Sequence, residues 1–89
     1  MLNQVILIGR VVDTQVSDTG LVTKIILDVT TGTNTDRIAI DTNQKMALYG
    51  PFSKDSIIAI KARISSDDAN TYSIIADRIT VLGGTNHGA

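Results

Sequence analysis

Residues 43–56 read NQKMALYGPFSKDS, and this stretch separates one all-β layout from its rivals. On either side of it the chain runs in short segments rich in β-branched residues: 5–12, 21–30 and 37–42 before it, 57–64 and 72–82 after it. The links DTQVSDTG (13–20), TGTNTD (31–36) and SSDDANT (65–71) have the composition of turns and suit hairpins. Only 43–56 breaks that rhythm. Its residues 44–49 are compatible with a helix of about one and a half turns, stopped by Gly50-Pro51. Five strands with a short helix between the third and fourth is the layout of an OB-fold. On pattern alone, other small barrels and sandwiches compete with it.

The 89 residues suffice for one domain, placed at 1–84, with 85–89 as a frayed tail. Apolar residues make up 43% of the chain, but only Tyr49, Phe52 and Tyr72 are aromatic, so the core must be built from Ile, Val and Leu. No apolar run is long enough to span a membrane, and the first residues carry no signal-peptide pattern. Cysteine is absent, which excludes disulfides and thiolate metal sites and suits a cytoplasmic protein. The net charge of −1 gives no overall attraction to phosphate, so any nucleic-acid binding needs a local patch.

Period-two alternation assigns the faces. In the second strand Ile25, Leu27 and Val29 form one row and Lys24, Ile26, Asp28 and Thr30 the other. In the fourth, Ile58, Ile60, Ala62 and Ile64 oppose Ala59, Lys61 and Arg63. The purely apolar rows are the expected barrel interior. In the last strand Ile74, Ile75 and Ala76 run together and Ile79 and Val81 resume after Asp77-Arg78, which points to a β-bulge. The first strand, in MLNQVILIGRVV (1–12), is apolar on both faces and needs a cover for the second.

Read together, these segments resemble the bacterial single-stranded-DNA-binding protein family. Residues 1–11 are similar to the family's M-L-N-x-V-x-L-x-G-x-L. Gly20 followed by Ile25-Ile26-Leu27-Asp28-Val29 resembles G then F-x-L-A-V, and Thr35-Asp36-Arg37-Ile38 with Lys45-Met46-Ala47 resembles T-D/E-W-x…G-K-L-A. Lys54-Asp55-Ser56 with Ile58, Ile60 and Ala62 resembles K-G-S-x-V-x-V-x-G, and residues 74–84 are close to V-V-A-D-x-V-Q-F-L-G-G. The five matches are collinear, and they imply an all-β, five-stranded OB-fold barrel with the short helix in its place.

The departures bear on function. Such proteins lay bases on exposed aromatic side chains along a cationic groove. Here Arg37 stands at the tryptophan position and Asn43 at a second aromatic position, the hairpin at 31–36 is short, and the hairpin at 65–71 carries Asp67-Asp68 instead of an aromatic. Each base–aromatic stack is worth roughly 1–3 kcal/mol, so their loss weakens the family's usual mode, and stacking on the Arg37 guanidinium would recover part of it. The linking helix is about five residues short against the family pattern, and the family's acidic C-terminal tail is missing.

Lys45 and Lys54 match family lysines, and Lys24, Arg37, Lys61 and Arg63 fall on the outer rows. Together with Tyr72, at the start of the last strand, they are the expected nucleic-acid contacts; the bland reading is a solubilising surface mixed with nine acidic residues. Tyr49 and Phe52 read as plugs for the barrel bottom. His87, alone in the tail, is neither a metal ligand nor a catalytic base. Asp36/Asp41 and Asp67/Asp68 read as solvated, and no catalytic motif occurs. The expectation is a non-enzymatic protein without metal or cofactor that binds single-stranded DNA without sequence preference, in replication, recombination or repair. The competing expectation is an interaction module of the same fold that has lost DNA binding and contacts replication proteins or a homologous DNA binder. An RNA- or small-ligand-binding barrel is a third. The resemblance also implies that Asn3, Val5, Leu7, Gly9 and Val11 form the inward row of the first strand, and a homo-oligomer, dimer or tetramer, in which its outer row Gln4, Ile6 and Ile8 meets a partner copy.

Overall fold

The computed structural model describes residues 3–42, 55–66 and 71–83. Five strands run β1 (Val5–Val16), β2 (Val22–Thr31), β3 (Asn34–Thr42), β4 (Ile57–Ser66) and β5 (Tyr72–Gly83). They close a barrel in the order β1-β2-β3-β5-β4. Every pairing is antiparallel except that of β3 with β5, which is parallel through Asp41↔Ile75 and Thr42↔Ala76. Because β5 lies between β3 and β4, a hairpin cannot join those two strands. This is why the 43–56 link departs from the turn composition of the others. The helix expected at 44–49 and the plugs Tyr49 and Phe52 lie outside the described residues, as does the tail at 85–89.

Two links are shorter than their composition suggests. β1 continues through Val16, four residues past the expected end, because it serves two neighbours in succession. Val5–Arg10 pair with β4 and Arg10–Val16 with β2, and register shifts after Val11 and Gln15 turn the strand between them. The polar residues of 13–16 are therefore strand residues with wet side chains. Likewise β3 begins at Asn34, not Arg37. Thr31 pairs with Asn34 across a two-residue turn whose first member, Gly32, has φ 61°, a backbone region that glycine enters without steric cost.

The core is aliphatic, as composition requires. Val11, Val22, Ile25, Leu27, Ile40, Ile58 and Ile60 are fully buried, with Ala62 and Ala76 among them, and burying each large aliphatic side chain stabilises the fold by about 1.5–3 kcal/mol. Leu7, Val29, Ile38, Ile74 and Ile79 pack against this cluster. Ile64 departs from the expected interior row: it is 43% exposed, because β4 and β5 run on as a hairpin past the buried core and carry the inward row into solvent. Asn3, expected in the inward row of the first strand, is also exposed. Its side-chain amide donates to the Ile64 carbonyl at 2.6 Å and accepts from the Ile64 N–H at 3.1 Å, which adds a rung to the β1–β4 ladder. The expected bulge in β5 is present: Lys61 pairs with Arg78 and Ala62 with Ala76, which leaves Asp77 as the extra residue.

Candidate nucleic-acid interface

The outer rows of β2 and β3 bring charges into register. Asp28 stands opposite Arg37 and Lys24 opposite Asp41. The Arg37 guanidinium grips the Asp28 carboxylate with both arms: Nε donates to Oδ1 at 2.8 Å and Nη2 to Oδ2 at 3.1 Å. Asp28 is only 8% exposed whereas the Arg37 side chain is 66% exposed, so the acid is sunk beneath its partner. From β1, Arg10 Nη2 lies 3.7 Å from Asp28 Oδ2 while its Nε lies 3.7 Å from Asp55 Oδ1. The hydrogen bond from Arg37 lowers the Asp28 pKa below the ordinary aspartate value; burial opposes this, and the charges of Arg37 and Arg10 reinforce it. The same hydrogen bond raises the pKa of Arg37.

Beside this network is an open groove of about 440 Å³, lined by Ile8, Gly9, Arg10, Asp28, Thr30, Thr35 and Ile57. Its apolar wall comes from β1 and β4. Opposite stand the Thr30 and Thr35 hydroxyls, hydrogen-bonded to one another at 2.9 Å. Gly9 brings β1 close to β2: a Cβ there would meet the Asp28 carbonyl oxygen at 2.4 Å and Leu27 Cγ at 2.9 Å.

The expected contact residues separate into two groups. Lys24 and Arg37 lie on β2–β3, each with a carboxylate partner; the Lys24 Nζ to Asp41 Oδ1 distance is 3.6 Å. Lys61 and Arg63 lie on the outer row of β4, where Arg63 Nη1 contacts Asp77 Oδ1 at 2.7 Å. Tyr72 is 70% exposed, but it pairs with Ser66 in the row that contains Ile64 and Ile74. Alternation therefore puts it on the opposite face of the hairpin from Lys61 and Arg63. Lys45 and Lys54 lie outside the described residues. On β1 the expected alternation holds: Val5, Leu7 and Val11 turn inward, while Gln4, Ile6 and Ile8 are exposed, the two isoleucines to 65% and 55%.

Sequence reading missed Asp28, Arg10 and Arg78 as members of this surface. Asp28 had a usable signal. A two-residue turn at Gly32-Thr33 places residues 28 and 37 symmetrically about it, so that register alone pairs the acid with the arginine that replaces the family's tryptophan. Arg10 had none, because bulges set the β1–β2 register.

No family model and no curated protein sequence matches the chain. Solved structures do. The mitochondrial single-stranded DNA binding protein Rim1 of S. cerevisiae superposes with a TM-score of 0.72 at 14% identity, covering 94% of this chain and 98% of that one. A second crystal form of Rim1 gives 0.71 at 15% identity, over 94% and 97%. The dimeric N-terminal domain of the PriB protein from Thermoanaerobacter tencongensis gives 0.65 at 18%, over 90% and 96%. At such identities the likeness is one of architecture, and it establishes that this closed five-stranded barrel is an OB-fold like those of Rim1 and the PriB domain.

Proposed function

We propose that the chain is a non-enzymatic, sequence-nonspecific single-stranded-DNA-binding protein that works in the cytoplasm in replication, recombination or repair. The observation that carries this reading is the superposition of nine-tenths of the chain on a single-stranded DNA binding protein of nearly equal extent. The outer rows supply cations from all five strands, Arg10 on β1, Lys24 on β2, Arg37 on β3, Lys61 and Arg63 on β4 and Arg78 on β5, and cationic contacts to phosphate bind DNA by releasing counterions. With few aromatics to stack on, one barrel holds a strand weakly, and linking copies raises avidity without new contacts. The exposed Ile6 and Ile8 on β1 support a homo-oligomer through that strand, and the PriB domain of like fold is dimeric. Replication proteins are further candidate partners.

One observation favours the competing reading of a protein-interaction module. Arg10, Lys24, Arg37 and Arg63 each spend part of their charge on a carboxylate of the same chain. Fluorescence anisotropy with labelled oligo-dT across a salt series decides between the two. Micromolar or tighter binding with a negative log–log salt slope is expected of the DNA-binding protein, and absence of binding at low salt leaves the interaction module.

A further inference from the structure

The outer surface of the β4–β5 hairpin carries two cations that pair with no carboxylate among the described residues. Lys61 and Arg78 stand directly opposite each other across the antiparallel pair, and both are exposed. Like charges so placed destabilise a sheet. Among the described residues the other four cations, Arg10, Lys24, Arg37 and Arg63, each lie within ion-pair distance of a carboxylate, whereas Lys61 and Arg78 do not. The bulge sharpens the imbalance. Its extra residue, Asp77, is the nearest acid in sequence, yet it turns to Arg63 at 2.7 Å. The bulge also shifts the phase of β5, so that Arg78 joins the outer row beside Lys61 where strict alternation would turn it inward. On the other side of Lys61, across the β1–β4 pair, stands the exposed Ile6.

We infer that Lys61 and Arg78 together form a phosphate-binding pair for the backbone of single-stranded DNA, and that the strand crosses the outer face of β4–β5. An anion between the two cations removes their mutual repulsion, and the forked guanidinium of Arg78 suits phosphate oxygens while Lys61 adds a point charge. The β2–β3 face lacks this feature, since Arg37 and Lys24 already face Asp28 and Asp41. A contact of this kind reads no base, in keeping with binding that is indifferent to sequence. The inference rests on the single-stranded-DNA reading above and names the part of the surface that carries it.

The test is a salt series with labelled oligo-dT on the wild-type chain, on the double variant Lys61→Gln with Arg78→Gln, and on Arg78→Lys. Each phosphate contact contributes about 0.7 to the log–log slope for a single strand. Because one phosphate sits between the two cations, the double variant is expected to lose about 0.7 from the slope, and Arg78→Lys to keep it. The melting temperature of the free double variant is expected to equal or exceed that of the wild type, because a repulsion has been removed. Wild-type binding with an unchanged slope in the double variant overturns the phosphate pair and leaves the proposed function standing. A drop of many degrees in the melting temperature also overturns it, since the pair is then structural. A wild-type chain that binds no oligo-dT at low salt overturns both.

Discussion

Replacing Gly9 with alanine tests the junction on which the outer surface is built. No positive φ is involved at this position, so the backbone accepts alanine and the cost is one of contact. The new Cβ would stand 2.4 Å from the Asp28 carbonyl oxygen, 2.9 Å from Leu27 Cγ and 3.1 Å from the Asp28 carbonyl carbon. Two of these three atoms are backbone, so relief requires β1 and β2 to move apart. Overpacking of this sort costs about 1–3 kcal/mol, and the rigid neighbours place Gly9→Ala in the upper half of that range. Restricting the unfolded chain returns about 0.4–1 kcal/mol, leaving a net loss of roughly 1–2.5 kcal/mol. For a domain of this size each kcal/mol shifts the melting temperature by about 4–8 °C, so circular dichroism melts are expected to fall by at least about 4 °C. Gly83→Ala is the control, since an added Cβ there meets nothing within 4 Å. A Gly9→Ala melting temperature equal to or above the wild-type value would refute the reasoning.

Acid destabilisation is expected to run partly through Asp28. Its pKa is lowered in the folded state, so its contribution is fully present above the ordinary aspartate value of about 3.9 and is lost as pH falls from there through the lowered folded value. Urea midpoints between pH 7 and pH 2 are expected to fall less on the acid side in Asp28→Asn than in the wild type, and superimposable acid limbs would reject this. Charging the outer row of β1 with Ile6→Lys and Ile8→Lys is expected to give folded monomers in light scattering, whereas an unchanged mass removes that seam. Asn3→Ala is expected to lower stability by about 1 kcal/mol through loss of its exposed hydrogen bonds to Ile64, read as a lower urea midpoint at constant m-value; no shift would show that water replaces both.

What could be read from the sequence was local, and what was missed depends on register. Alternation along one strand placed Ile25, Leu27, Ile58 and Ile60 inside, because a side chain's face depends only on its own strand; on the first strand, apolar on both faces, the family resemblance was needed to turn Val5, Leu7 and Val11 inward. Composition misjudged the polar residues 13–16 and 34–36, since a strand with one face in water tolerates Thr, Asn, Gln and Asp there. Ile64 looked identical to Ile60 in pattern, and only the reach of the hairpin past the core distinguishes them. The partition of the cations on β4 and β5 was not visible at all. Whether Arg63, Lys61 or Arg78 has a neutralising neighbour depends on a bulge that sends Asp77 to one of them, and alternation indicated that a bulge was there without saying which side chain would meet which.

The sunken carboxylate under Arg37 also constrains how such a surface changes over generations. In the resembling family the two positions carry alanine and tryptophan; here they carry Asp28 and Arg37, directly paired across β2 and β3. Arg37→Trp alone would introduce a stacking ring but take the bidentate partner from a nearly buried acid, leaving only Arg10 at 3.7 Å as counter-ion, a poor intermediate. Asp28→Ala alone leaves an exposed arginine, which water solvates without difficulty. The mutational path between the two surfaces therefore has a preferred order: the arginine arrives before the acid, and the acid leaves before the arginine. The ion pair acts as a latch: an aromatic ring at position 37 becomes tolerable only once Asp28 has been replaced.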